Sequence, residues 1–232
     1  MKRLRLAHWL VVCSACGPIA WFSPDHCVVP AAAAAENQEA EQSAPAAELE
    51  RTRQDFVKNF KRLGLNTTPG DAAFLRIMVE ISGAKRGVEV GTATGYGAIH
   101  MGCGFERNGG HLTTIEIDPR MAEAARQNVA AMKLEKSISI VEGDALKVIP
   151  KLEGRFDFVF LDAVKRDTLK YFKGLEPLLK PGAVIIADNA IQSAREMRDF
   201  FEAVGQDPHY HMVILRASDE KKDGMAVIYK LK

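Results

Sequence analysis

Cysteine is scarce where it could shape a fold. Of the four in 232 residues, Cys13, Cys16 and Cys27 crowd the start of the chain and Cys103 stands alone in the body. One thiol cannot close an internal disulfide, and among Ile99 and Met101 it reads as a buried apolar group rather than a nucleophile. Net charge is nearly absent as well: 31 Lys and Arg against 30 Asp and Glu leave +1. No basic stripe of the kind that nucleic-acid binding needs is present, so nucleic acid is not an expected partner. Charge is also missing locally, because no Asp, Glu, Lys or Arg occurs from Leu6 to Pro24. Basic Lys2, Arg3 and Arg5 precede that run, and small residues at Ala31 to Ala35 follow it. The pattern predicts a secretory signal or a retained membrane anchor over 1–35, with membrane contact through this segment alone. The expected location is exported or membrane-anchored, with the cytoplasm as the alternative. Residues 36–47, rich in Ala, Glu and Gln, read as a linker, and 48–232 has the length of one domain.

What is present in the body is regular alternation. Apolar residues recur at helical spacing from Leu49 to Phe60, and Thr68-Pro69 caps a second helix that buries Leu75, Met78 and Val79. Strands are expected at Gly87 to Val90, Leu112 to Ile117, Ile138 to Val141, Phe156 to Leu161 and Ala183 to Ala187. Between them lie a helix after the glycine loop, one opened by Asp118-Pro119, a short one begun by Asp144, and Leu169 to Leu179 stopped by Lys180-Pro181-Gly182. Ser193 with Glu196 predicts a capping box for a helix through Phe200 and Phe201. Tyr210 to Leu215 and Met225 to Tyr229 close the chain as a hairpin around the charged Ser218 to Gly224 turn. Strands alternating with helices predict an α/β fold: a Rossmann-like open, mostly parallel seven-stranded sheet, helices on both faces, and a C-terminal antiparallel hairpin. Ligands of such sheets bind beyond the carboxyl ends of the strands, at the switch in strand order.

One of those ends is the run Gly-Val-Glu-Val-Gly-Thr-Ala-Thr-Gly-Tyr-Gly, 87–97. Its glycines follow G-x-x-x-G-x-G rather than the dinucleotide G-x-G-x-x-G, and the acidic Glu89 precedes them, which suits a cationic ligand better than a pyrophosphate. The form resembles motif I of class I S-adenosylmethionine (SAM) dependent methyltransferases. Glu116, at the end of the second strand and about 20 residues past the loop, can accept hydrogen bonds from ribose hydroxyls, a device that dehydrogenases share. Asp144 and Ala145 resemble the loop that borders the adenine; Asp144 as a plain N-cap is the alternative. Tyr96, inside the glycine loop, is expected to touch the cofactor.

Asp162 follows the fourth strand and Asp188-Asn189 the fifth, so two carboxylates and an amide converge on one crevice. Hard oxygen donors suit Mg²⁺, unless each Asp merely caps a helix or contacts cofactor, for which Asp162 is also a candidate. At this point the chain resembles, from about Leu49 to Lys232, the cation-dependent O-methyltransferases of the catechol and caffeoyl-CoA type. The resemblance implies a divalent cation on Asp162, Asp188 and Asn189, a catalytic lysine at Lys165, and SAM held by Glu89, Gly91, Thr92, Gly95, Tyr96 and Glu116. It also implies methyl transfer to a hydroxyl of a small catechol-like acceptor, and a homodimer. Two departures accompany it. Thr168 stands where relatives commonly carry Tyr, although Tyr171 keeps the later position, and the substrate-binding insertion shrinks to Ala190-Ile191-Gln192. A salt bridge from Lys165 to Asp162 or Asp167 competes with the role of base. A nicotinamide oxidoreductase and an exported, catalytically idle nucleotide-binding protein stay open as alternative functions. His209 and His211 read as exposed edge residues.

Overall fold

The computed structural model describes residues 47–62, 64 and 66–231. The expected signal or anchor over 1–35 and, apart from Ala47, the linker over 36–47 lie outside the described residues. Among those described, no helix is long and apolar enough to cross a membrane. From Leu49 onward the chain forms one compact unit.

Helix α1 covers 47–58 and packs Phe56 and Val57 toward the core. Helix α2 (Pro69–Ser82) starts as its sequence dictates: Thr68 stays extended and its hydroxyl accepts the Asp71 N–H, while Pro69 sits in the first turn, where an N–H would have no helical partner. The chain then alternates through β1 (Arg86–Val90), α3 (Tyr96–Asn108), β2 (His111–Glu116), α4 (Pro119–Ala131) and β3 (Ile138–Glu142). It continues through α5 (Ala145–Val148), β4 (Phe156–Leu161), α6 (Thr168–Leu175), β5 (Leu179–Ala187), α7 (Arg198–Gln206), β6 (Tyr210–Leu215) and β7 (Met225–Lys230).

The seven strands lie in the order β3-β2-β1-β4-β5-β7-β6. β1 to β5 pair in parallel; β7 runs antiparallel to both β5 and β6. The sheet is covered on both sides, so its strands read as nearly unbroken apolar runs. Val88, Val90, Val159, Leu161 and Ile185 pack with Phe172, Leu175 and Phe200 of α6 and α7. Phe158, Phe160 and Ile186 pack on the opposite face with Leu75, Val79, Ile99 and Phe105 of α2 and α3. Phe156 joins the first group despite sharing parity with Phe158; between them the register with β5 shifts, Phe156 pairing with Leu179 and Phe158 with Val184.

Two boundaries differ from expectation. The helix expected to reach Leu179 ends at Leu175, a 3-10 turn fills Glu176–Leu178, and β5 begins at Leu179 and runs through the Lys180-Pro181-Gly182 stretch read as a stop. Pro177 has no N–H to give and blocks a continuing α-helix, whereas Pro181 is tolerated near the irregular start of a strand. The Ser193–Glu196 capping box does not form. Residues 190–197 run as successive turns, and α7 opens at Arg198 with Met197 as an N-cap that makes no side-chain bond.

Candidate functional site

The switch in strand order falls between β1, from which the chain travels outward to β3, and β4, where it returns on the other side. Each ladder continues one residue beyond its strand. Gly91 N–H donates to the Ile115 carbonyl (2.9 Å), Gly143 to Glu116 (2.8 Å), Asp162 to Val90 (2.9 Å) and Asp188 to Leu161 (3.0 Å). The first residues past four strands are therefore fixed by main-chain bonds along one edge of the sheet.

A cavity of about 360 Å³ opens there. Gly91, Thr92, Glu116, Asp144, Ala145 and Asp162, all singled out from sequence, line it. So do Asn66, Thr67, Ile117, Val164 and Tyr171, of which only Tyr171 had a sequence signal, its kept family position. Ile117 and Val164 leave 67% and 45% of their surface exposed, so the cavity offers uncovered aliphatic walls to a flat apolar ring. Gly91 has φ +92, and a Cβ there would lie 2.5 Å from the Asp162 carbonyl oxygen; the floor is two backbones in contact. The Glu116 carboxylate closes the loop: one oxygen accepts the N–H of Thr92 (3.2 Å) and of Ala93 (2.7 Å), the other that of Asp118 (2.9 Å). Asp144 lines the cavity and accepts the Leu146 N–H at 2.9 Å as the cap of α5.

Three of the expected cofactor residues sit elsewhere. Tyr96 is turned away, a correction: it is 4% exposed, with ring centroids 5.0 Å from Phe60 and 4.9 Å from His100, and does not line this cavity. As the first residue of α3 it follows Gly95, whose φ of +92 sends the helix off so that this ring joins the core beneath. Gly95 faces α4, where a Cβ would come within 3.3 Å of Ala125 Cβ. Glu89 is 1% exposed beneath the loop and accepts the hydroxyls of Thr92 and Thr114.

Burial pushes the Glu89 carboxyl up from 4.5 to about 8, against the opposing pull of the Thr114 and Thr92 hydroxyls. Between those values the unfolded chain ionises while the folded one keeps its proton, so stability falls as pH rises through the window and is fully present below it. Wild type is expected to lose melting temperature relative to Glu89→Gln between pH 5 and pH 9. A difference between the two proteins that does not change with pH, by scanning calorimetry, would show that Glu89 does not titrate there.

At the ends of β4 and β5 the charges pair. Lys165 Nζ lies 2.6 Å from Asp162 Oδ1, the ion pair that competed with its role as a base. Burial drives the Asp162 carboxyl up and Asp188 adds to it, while Lys165 and Lys221 pull it down; the net is upward. Asp188, 2% exposed, receives Lys221 Nζ on both oxygens, at 2.8 and 2.7 Å, and the same ammonium lies 2.9 Å from Asp71 Oδ2 on α2. Burial alone would lower the Lys221 pKa, but Asp188 and Asp71 outweigh it and the net shift is upward, so it stays an ammonium. Asn189 adopts φ +59 and its amide donates to Asp223 Oδ2 at 2.8 Å. Asp223 also receives the N–H groups of Ile191 and Gln192 and so holds the shortened turn. Sequence reading missed Asp71, Lys221 and Asp223: the first looked like part of a helix start and the other two like solvated charges in a turn. His209 is exposed, its ring paired with its neighbour Asp207 at 2.8 Å, and His211 is exposed on β6.

Residues 38–221 match a family model described as O-methyltransferase. A catechol O-methyltransferase of Niastella koreensis is 33% identical over 135 residues, which are 56% of this chain and 61% of that protein. An O-methyltransferase of Aspergillus flavus is 30% identical over 200 residues, 74% of this chain and 80% of its own length. Among solved structures, an O-methyltransferase from Bacillus cereus in complex with SAH is similar at a TM-score of 0.69 and 26% identity, over 79% of this chain and 90% of that one. The chain spans about six tenths of the first of these relatives.

Proposed function

The chain belongs to the O-methyltransferase family, and from that premise we propose that it transfers a methyl group from SAM to a hydroxyl of a small, catechol-like acceptor. The observation that carries this reading is the cavity at the β1/β4 switch, lined by the Glu116 carboxylate, which suits ribose hydroxyls, and by exposed Ile117 and Val164, which suit a flat base. Its residues fit the cofactor: Gly91 brings bare backbone to the floor, and Glu116, Asp144 and Ala145 supply a carboxylate, a cap and a small wall. When bound, SAM supplies an activated methyl on a sulfonium. Glu89 lies below the loop and keeps Thr92 in place through its hydroxyl.

The chain's own residues must ready the acceptor. A phenol near pKa ~10 is mostly protonated at neutral pH and a poor nucleophile, so its proton has to leave as the oxygen attacks. Lys165 and Asp162 act as a unit there: the Asp162 carboxylate takes the proton, and the Lys165 ammonium stays as a cation beside the oxygen that gave it up. A divalent cation on Asp162, Asp188 and Asn189 does not enter this mechanism, because both oxygens of Asp188 already face Lys221 and one oxygen of Asp162 faces Lys165.

Calorimetric titration is expected to show saturable binding of SAM and S-adenosylhomocysteine and none of NAD; tight NAD binding without SAM binding overturns the proposal. Export or anchoring by residues 1–35 is part of the same reading, and an uncleaved, soluble cytosolic product in cell fractionation would remove it.

A further inference from the structure

The ammonium of Lys221 occupies the corner where the family resemblance calls for metal. It sits on both oxygens of Asp188, and Asp162 lies within its electrostatic reach. The register that sets Leu161 beside Ala187 makes Asp162 and Asp188 neighbours across the ladder. A divalent ion ligated by Asp188 would have to take an oxygen that now faces Lys221.

Two observations make that exchange costly. Asp71 is 1% exposed, and among the described residues Lys221 is the cation within ion-pair distance of it. A metal on Asp188 that expelled Lys221 would strand the buried Asp71 carboxylate, and breaking one side of a buried charge pair is strongly destabilising. The loop that carries Lys221 is also pinned. Backbone meets backbone where it crosses α2, since a Cβ on Gly70 would lie 2.8 Å from the Ala217 carbonyl and 2.9 Å from Ser218 Cα. At its far end Asp223 holds Asn189 and the 191–192 turn.

We propose that Lys221 is a built-in counter-ion that takes the place of a divalent cation at the Asp162, Asp188 and Asn189 corner, so that methyl transfer by this chain needs no added metal. The statement about turnover rests on the function proposed above; the statement about the site does not. Metal binding can be read without SAM or acceptor. Protein stripped with EDTA and returned to chelator-free buffer is titrated with Mn²⁺, free ion being followed by electron paramagnetic resonance. Wild type and Lys221→Arg are expected to show no saturable site. Lys221→Met should gain one site per chain, tighter than any wild-type binding by about tenfold or more. Lys221→Met combined with Asp71→Asn removes the stranded carboxylate and guards against a single variant that fails to fold, which a thermal melt would reveal. Wild type that binds one Mn²⁺ per chain as tightly as the variants overturns the proposal, as does a folded double variant that gains no site. Loss of wild-type methyl transfer in EDTA with recovery on Mg²⁺ overturns it too.

Discussion

Gly91→Ala is expected to cut affinity for S-adenosylhomocysteine by about 10²-fold or more, equivalent to about 2.7 kcal/mol of binding free energy. Two effects add. A residue with a Cβ at φ +92 is strained by about 1 kcal/mol or more, because left-handed backbone crowds Cβ against its own carbonyl. The larger effect is spatial: the new methyl would lie 2.5 Å from the Asp162 carbonyl oxygen, 2.9 Å from its carbon and 3.2 Å from Ala163 Cα. All three are backbone atoms and cannot rotate aside. The ends of β1 and β4 must part, and the floor of the cavity moves with Asp162. Gly109→Ala separates the two causes, since Gly109 has φ +64 but nothing within 4 Å of its would-be Cβ, at the far end of α3. That variant should melt earlier and bind the cofactor normally. If calorimetry shows Gly91→Ala binding within a few-fold of wild type while remaining folded, close approach at this glycine is not what shapes the site.

Lys165→Met is expected to leave cofactor affinity nearly intact and to lower turnover on a catechol-type acceptor by about 10²-fold, the lower end of what a positioned proton-transfer group contributes. The residue pairs with Asp162, which lines the cavity and whose carboxyl burial drives upward. Removing the ammonium takes away the first counter-charge that Asp162 has, so its carboxyl should rise further and hold a proton at higher pH. The pair would then neither draw the acceptor's proton nor stabilise the oxygen that loses it. Raising the pH should rescue part of the activity of the variant, because a phenol ionised in solution no longer needs the pair. Should turnover fall less than a few-fold, or high pH bring no recovery, Lys165 serves the fold through its ion pair and the chemistry lies elsewhere.

The strands that form the site were legible because their signals are local. Gly87 to Val90, Phe156 to Leu161 and the final pair of strands are short apolar runs bounded by turn residues, and the structure reproduces them to within a residue or two. Thr68, Asp118 and Asp144 cap their helices as their positions predict, because a cap depends on atoms within three residues of itself. The strand ends followed from there: in a parallel sheet the residues at and just past the carboxyl ends of the strands share one edge, which put Gly91, Glu116, Asp144 and Asp162 on one cavity. The errors have equally physical sources. The helix was expected to run through Pro177 and stop at Lys180-Pro181-Gly182, and only pairing of β5 with β4 showed that it ends before Pro177 while Pro181 lies inside a strand. Tyr96 looked like a cofactor contact from its place in the glycine loop, but the direction of a side chain at a helix start is set by the angle at which the helix leaves, and Phe60 and His100 claim it.

By itself, then, the sequence determined the alternating α/β architecture, the glycine loop and the acidic strand ends, since each depends on periodicity, glycine φ or capping over a few neighbouring residues. Tertiary structure alone decided how the charges are shared. Lys221 lies 33 residues from Asp188 and Asn189 lies 34 from Asp223, while Asp71 reaches the same ammonium from the other end of the domain. Whether such groups meet a metal, a lysine or water turns on separations of an ångström or two, because a buried carboxylate is stabilised by the cation that actually touches it. No run of residues along the chain carries that distance; it exists once α2, the ends of β4 and β5 and the β6–β7 loop have packed against one another.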